Sequence, residues 1–92
     1  DISLKKNVQD ISNASRILKI RPVTYKLKHE AESDDAVHAG VIAQELKEVI
    51  PEAVRSLDDG TLAVEYHHVT MLLLKHVQDL TARIAVLESL NT

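Results

Sequence analysis

Three groups of side chains in this sequence carry reactive chemistry. Lys5, followed by Lys6, stands near the start with Ser3 two positions before it. A lysine acts as base for a hydroxyl nucleophile only when burial or a nearby cation lowers its pKa, and Lys6 supplies a little of the latter. By residue type alone Lys5 is a surface lysine and Ser3 a solvated loop residue. The second group is His67, His68 and His76, which invite a metal reading because imidazole is the commonest metal ligand. Neighbours on a strand point to opposite faces, though, and no acidic partner has ligand spacing, so surface or interface histidines are expected and no metal site. The third group is Gln44 and Glu45. They either hydrogen-bond across an interface or cap and solvate a helix start, where a carboxylate is favoured.

The elements that must position these groups belong to one small domain. With 92 residues, burial is limited enough that help from oligomerisation is unsurprising. The chain is 45% hydrophobic and 27% charged, which places it among folding sequences and not disordered ones. Phe and Trp are missing and only Tyr25 and Tyr66 are aromatic, so the core is aliphatic and stacking platforms for single-stranded nucleic acid are almost absent. A net charge of -3, with Lys and Arg scattered, gives no footprint for a phosphate backbone, so no nucleic-acid partner is expected. Without Cys there is neither a disulfide scaffold nor a thiolate metal site. The longest apolar run, Val69 to Leu74, is interrupted by Thr70 and too short for a bilayer, and no charged-then-apolar leader opens the sequence. A soluble module without membrane partner or cofactor is the expectation.

Local pattern predicts α+β architecture. Asp1 to Asp10 reads as loop or strand. Ser12 or Asn13 caps a short helix over Ala14 to Ile20, which Pro22 prevents from running on. Val23, Tyr25 and Leu27 alternate with polar residues as in a half-buried strand. His29 to Ala39 reads as a solvated hairpin connection, and Gly40 to Ala43 as a short buried strand. Helical spacing then runs from Glu45 to Ile50 and stops at Pro51. Ala53, Val54 and Leu57 lead into Asp58-Asp59-Gly60, a turn, beyond which Leu62, Val64 and Tyr66 alternate as the returning strand. On this reading Tyr66 ends its strand as a core residue with its hydroxyl at the rim. Gly40 and Gly60 are explained by backbone conformation.

From Val69 to Leu90 there is neither Gly nor Pro. Leu73, Val77, Leu80, Ile84 and Leu87 recur at intervals of four, three, four and three, a heptad seam. Its first three positions could line a helix packed at home; a seam kept to Leu87 outruns so small a body and is expected to meet other chains. In this register Arg83 is at g and Glu88 at the following e, where an inter-chain pair adds at most about a few tenths of a kcal/mol. The expected organisation is a globular body over residues 1–68 and an oligomerising helix over 69–92, within one domain.

Read in order, the segments DISLKKNV (1–8), VTYKLK (23–28), GVIAQELKEVIPEAV (40–54), DDGTLAVEY (58–66) and RIAVLESL (83–90) resemble the endosialidase-type intramolecular chaperones over nearly the whole chain. Gly40 to Val54 is the most specific piece, because a strand-to-helix switch followed by Pro51-Glu52-Ala53-Val54 does not follow from amphipathic patterning alone. The resemblance draws attention to Gly40, Gln44, Glu45, Pro51 and Glu52 as motif or interface positions. Proteins of this kind sit at the C-terminus of homotrimeric phage tail spikes and fibres, hold three chains together while a β-structured client folds, and cut themselves away. The resemblance therefore implies a small antiparallel β-sheet with short helices and a long C-terminal helix in a homotrimeric coiled coil.

In that family the cut falls just before a serine that opens a Ser-Asp-x-x-x-Lys motif, with the serine as nucleophile and the lysine as base. Asp1 and Lys5 match the aspartate and the lysine, and the serine is expected directly before Asp1. A chain starting at Asp1 then resembles the released product of a precursor autoprotease. Such a factor acts in the infected cell's cytoplasm during virion assembly and leaves the mature tail. Two features of the seam pull the other way: β-branched Val77 and Ile84 at a, with Leu80 and Leu87 at d, favour parallel dimers in isolated coiled coils. The alternative is an oligomerisation module of a cellular protein without protease activity, against which the Gly40 to Val54 match argues.

Overall fold

The computed structural model describes residues 1–28 and 35–91. It is α+β: two separate two-stranded antiparallel sheets, one short helix and one long C-terminal helix, joined by 3-10 turns. The single sheet expected from the sequence is thus divided in two. Strand β1 (Val23–Tyr25) pairs with β2 (His38–Gly40), with Val23 opposite Gly40 and Tyr25 opposite His38. Strand β3 (Val54–Ser56) pairs with β4 (Leu62–Val64), with Val54 opposite Val64. Helix α1 (Ala43–Val49) lies between the two hairpins in sequence, and α2 (Tyr66–Leu90) ends the described chain.

Local chemistry accounts for most of these elements. The β3–β4 turn closes with Leu57 N–H donating to the Thr61 carbonyl (2.8 Å) and Gly60 N–H to the Leu57 carbonyl (2.9 Å). Gly60 holds φ at +87°, which a side chain would oppose, and Asp59 Oδ1 accepts from both Thr61 N–H and Thr61 Oγ1. Pro51 stops α1 and opens the next 3-10 turn (Pro51–Ala53), where its missing N–H costs nothing. The predicted helix over Ala14 to Ile20 is a 3-10 helix (Ala14–Lys19). Asn13 occupies its cap in the left-handed region, φ 55°, without a side-chain capping bond.

Several boundaries differ from the sequence reading, among them the strand read through Leu27, which ends at Tyr25, and the helix read from Glu45 to Ile50, which runs Ala43–Val49. The loop expected to reach Ala39 gives way to strand at His38; its stretch over residues 29–34 lies outside the described residues. The strand expected over Gly40 to Ala43 ends at Gly40, because Ala43 already opens α1. Asp1 to Asp10, read as loop or strand, begins with a 3-10 turn (Ile2–Leu4). The long helix begins at Tyr66, three residues before Val69, so Tyr66 starts the helix and does not end β4. A backbone bond from Glu65 N–H to the Ala53 carbonyl (2.7 Å) fixes that junction against the 3-10 turn after α1.

The core is small and aliphatic. Leu46, Ile50, Ala53, Ala14 and Leu72 are buried, and Ile17, Ile20, Val41, Val49, Val54, Val64 and Val69 pack around them. Ile50 and Ala53 are wholly inaccessible, so Gly40 to Val54 supplies three of the five buried apolar residues: Leu46, Ile50 and Ala53. Two ion pairs brace this core from outside: Arg21 grips Glu45 through Nε (3.1 Å) and a terminal nitrogen (2.6 Å), and Arg16 binds Glu52.

Candidate functional site

Two surfaces and one side-chain cluster hold part of the residues singled out from the sequence, and the others lie around the core. The first surface is the seam. Helix α2 turns Leu72 and His76 into the body, with Val69 packed against the same core. The seam residues Leu73, Val77, Leu80, Ile84 and Leu87 lie elsewhere on the helix and stay between 44% and 54% exposed. The alternative in which Leu73, Val77 and Leu80 line a helix packed at home is therefore not realised in the chain by itself. From Val77 to Leu90 every residue is exposed, a stretch of about 20 Å at the helical rise. Met71 and Leu74, also exposed, border an open cleft whose other wall is Gln9, Asp10 and Ile11.

The second surface is the amino-terminal turn. Asp1 caps it: its Oδ1 accepts from Ser3 N–H (2.9 Å) and from Ser3 Oγ (3.0 Å). Leu4 N–H donates to the Asp1 carbonyl and Lys5 N–H to the Ile2 carbonyl, both at 3.1 Å. The turn thus folds the backbone of Lys5 toward the start of the chain. It also engages Ser3 with Asp1. All of residues 1–10 are exposed, with Ile2, Leu4 and Val8 among the most exposed apolar side chains. Lys5 lies in water here, and the motif residues Gly40, Gln44, Glu45, Pro51 and Glu52 are placed elsewhere, around the core.

Those motif residues have mostly architectural contacts. Gly40 lies against the hydroxyl end of Tyr66; a Cβ there would come within 2.5 Å of that hydroxyl. That hydroxyl accepts a long bond from Val41 N–H (3.4 Å), so Tyr66 ties the β1–β2 hairpin to α2. Glu45, expected either to cap the helix or to reach across an interface, instead holds Arg21, whose hydrogen bond keeps its carboxyl below the usual range. Glu52 is also held low, first by its own backbone N–H and then by Arg16. Gln44 stands exposed.

The sequence reading set His67 and His68 on a strand with opposed side chains. They occupy the first turn of α2, and their rings meet at 4.2 Å between centroids, tilted by 37°. Glu65 Oε2 lies 3.4 Å from His68 Nε2 and 4.0 Å from His67 Nε2. The missed signal was Glu65 and His68 at i, i+3, which is legible only once the helix start is placed at Tyr66. His76 sits apart, buried on the core-facing side with Nε2 unpartnered. The Arg16–Glu52 and Arg21–Glu45 pairs were not foreseen either. Their partners lie 36 and 24 positions apart, beyond any local pattern.

The family described as chaperone of endosialidase matches residues 1–55, which covers the amino-terminal turn, α1 and the core run through Val54. The chain belongs to that family. It is also 38% identical over 96 aligned positions, 97% of its length, to the long tail fiber protein Gp37 of Enterobacteria phage K3, and equally to that of Enterobacteria phage T2. It spans only 8% and 7% of those two proteins.

Proposed function

We propose that the chain is the intramolecular chaperone of a phage tail fibre, which joins three copies through α2 and holds three client chains in register while they fold. The observation that carries this reading is the unburied heptad seam. A monomer of this mass is expected to expose about 5,300 Å². This chain exposes 7704 Å², and the seam forms part of the excess. Bringing three such seams together raises the local concentration of the attached chains, which is what a slow, non-local β-structured client lacks. The K3 and T2 relatives are named as tail fibre proteins and are over ten times longer than the match, which favours a client fused to this domain. On this reading the site of action is the infected cell during assembly.

A second step rests on Asp1 and Lys5. In a precursor with serine directly before Asp1, Lys5 would take the serine proton as the hydroxyl attacks the preceding carbonyl and return it to the serine nitrogen as the peptide C–N bond breaks; water would then hydrolyse the resulting ester and free the upstream chain. Ile2, Leu4 and Val8 are exposed in the single chain, and covering them at a chain contact would shield the turn that carries Lys5 from water. Cleavage would then follow assembly and not precede it.

Sedimentation equilibrium of the chain over a concentration series tests the first step. A threefold mass supports it, a twofold mass favours the dimeric packing of the seam, and a monomer at every concentration overturns it. The second step is tested in a precursor carrying Ser before Asp1. Lys5→Ala should leave it uncut yet still trimeric, and cleavage unaffected by Lys5→Ala removes Lys5 as the base.

A further inference from the structure

We propose that Glu65, His67 and His68 form a binding site for one zinc-like divalent transition-metal ion at the start of α2. Two imidazole nitrogens and one carboxylate oxygen are a recognised zinc donor set, with a fourth position left for water. Zinc bound at about 2.0–2.1 Å in tetrahedral geometry sets its donors roughly 3.3–3.4 Å apart. Here the three donor atoms lie within 4.8 Å of one another, and the Glu65 to His68 separation is 3.4 Å, so only small side-chain rotations are required.

Three further features favour a prepared site over a chance meeting of side chains. Glu65 is fixed by its backbone, whose N–H donates to the Ala53 carbonyl at 2.7 Å and whose carbonyl accepts from His68 N–H at 3.2 Å. Its other carboxylate oxygen, Oε1, lies 3.2 Å from Arg55 Nε, which orients Oε2 toward the imidazoles as partners behind metal ligands do. Both imidazoles are open to solvent, with 69% of the His67 side chain and 40% of His68 exposed, so an ion can reach them. The positive end of the helix dipole opposes a cation here, and the Glu65 charge offsets it. The competing description is a pair of solvated histidines beside an acidic neighbour.

Zinc titrated into the chain against a chromophoric chelator distinguishes the two. The proposal expects saturation at one ion per chain. His67→Ala, His68→Ala and Glu65→Gln should each weaken binding at least tenfold, while His76→Gln leaves it unchanged. Arg55→Ala, which touches only the positioning partner, should weaken it by a smaller factor. Imidazole NMR signals of the unmodified chain provide a reading independent of whether the variants fold: zinc should shift His67 and His68 selectively. Affinity within twofold of the unmodified chain for folded His68→Ala, or zinc shifts confined to other histidines, overturns the site.

Discussion

Gly40 and Tyr66 show how tightly single residues constrain this small body. A side chain at position 40 meets the tyrosine hydroxyl, so Tyr66 must shift and give up its long bond from Val41 N–H. Gly40→Ala should therefore destabilise the chain by about 1–3 kcal/mol, the range of overpacking, measured by urea unfolding. Tyr66→Phe should cost little alone, about 0.5 kcal/mol for a long hydrogen bond, and should recover part of the Gly40→Ala loss in a double-mutant cycle. Titration adds a second residue-scale prediction. Glu45, Glu52 and Asp59 are all held below their ordinary range in the folded chain, by Arg21, by the Glu52 backbone and by Thr61 respectively. Groups whose folded pKa is depressed stabilise above the unfolded value and lose that contribution as pH falls through the folded one. Stability should therefore decline as pH drops below the ordinary carboxylate range near 4.5, and Arg21→Ala should flatten part of that decline.

At the scale of elements, α1 and the turn after it hold the body together. Ile50 is wholly buried, and Ile50→Ala should cost about 2–5 kcal/mol in chemical denaturation, a large part of the stability available to a small domain. The helix α2 divides its labour, with Leu72 and His76 serving the body and the seam residues left over. Leu80→Asp with Ile84→Asp should then abolish oligomers in sedimentation while amide exchange in α1 keeps its protection. How much of this was legible varies with the range of the interactions. The Asp58-Asp59-Gly60 hairpin, the stop at Pro51 and the Leu73 to Leu87 seam are each set by residues within a few positions, and the sequence predicts them. Tyr66 misled because it prolongs the alternation of Leu62 and Val64, and only the Glu65 to Ala53 bond, twelve positions apart, shows that the strand has ended. The acid-base clamps share that cause, since their partners become neighbours only after the chain has folded, whereas the Glu65, His67 and His68 cluster is local and was hidden by placing the helix start at Val69.

The whole molecule is more extended than its length requires. A compact chain of this size has a radius of gyration of about 12 Å. The Cα value here is 17.8 Å, with extents of 57 × 38 × 25 Å. The exposed stretch of α2 beyond His76, which has nothing of its own to pack against, contributes to that length, as does the exposed segment 1–10. Half-buried seam residues gain about 1 kcal/mol each when fully covered, so five of them give roughly 5 kcal/mol per chain toward association. No helix among the described residues is long and apolar enough to cross a membrane.

Tyr66 has one more consequence, an optical one. The chain has no tryptophan, and its only two tyrosines meet at a single corner, Tyr66 against Gly40 and Tyr25 stacked on His38 at 5.4 Å. All intrinsic near-ultraviolet emission therefore originates where the first hairpin docks on the long helix, and none originates along the Leu73 to Leu87 seam. Fluorescence will follow the opening of the body and stay silent when chains merely separate, so that, paired with light scattering, it resolves the two events in unlabelled protein.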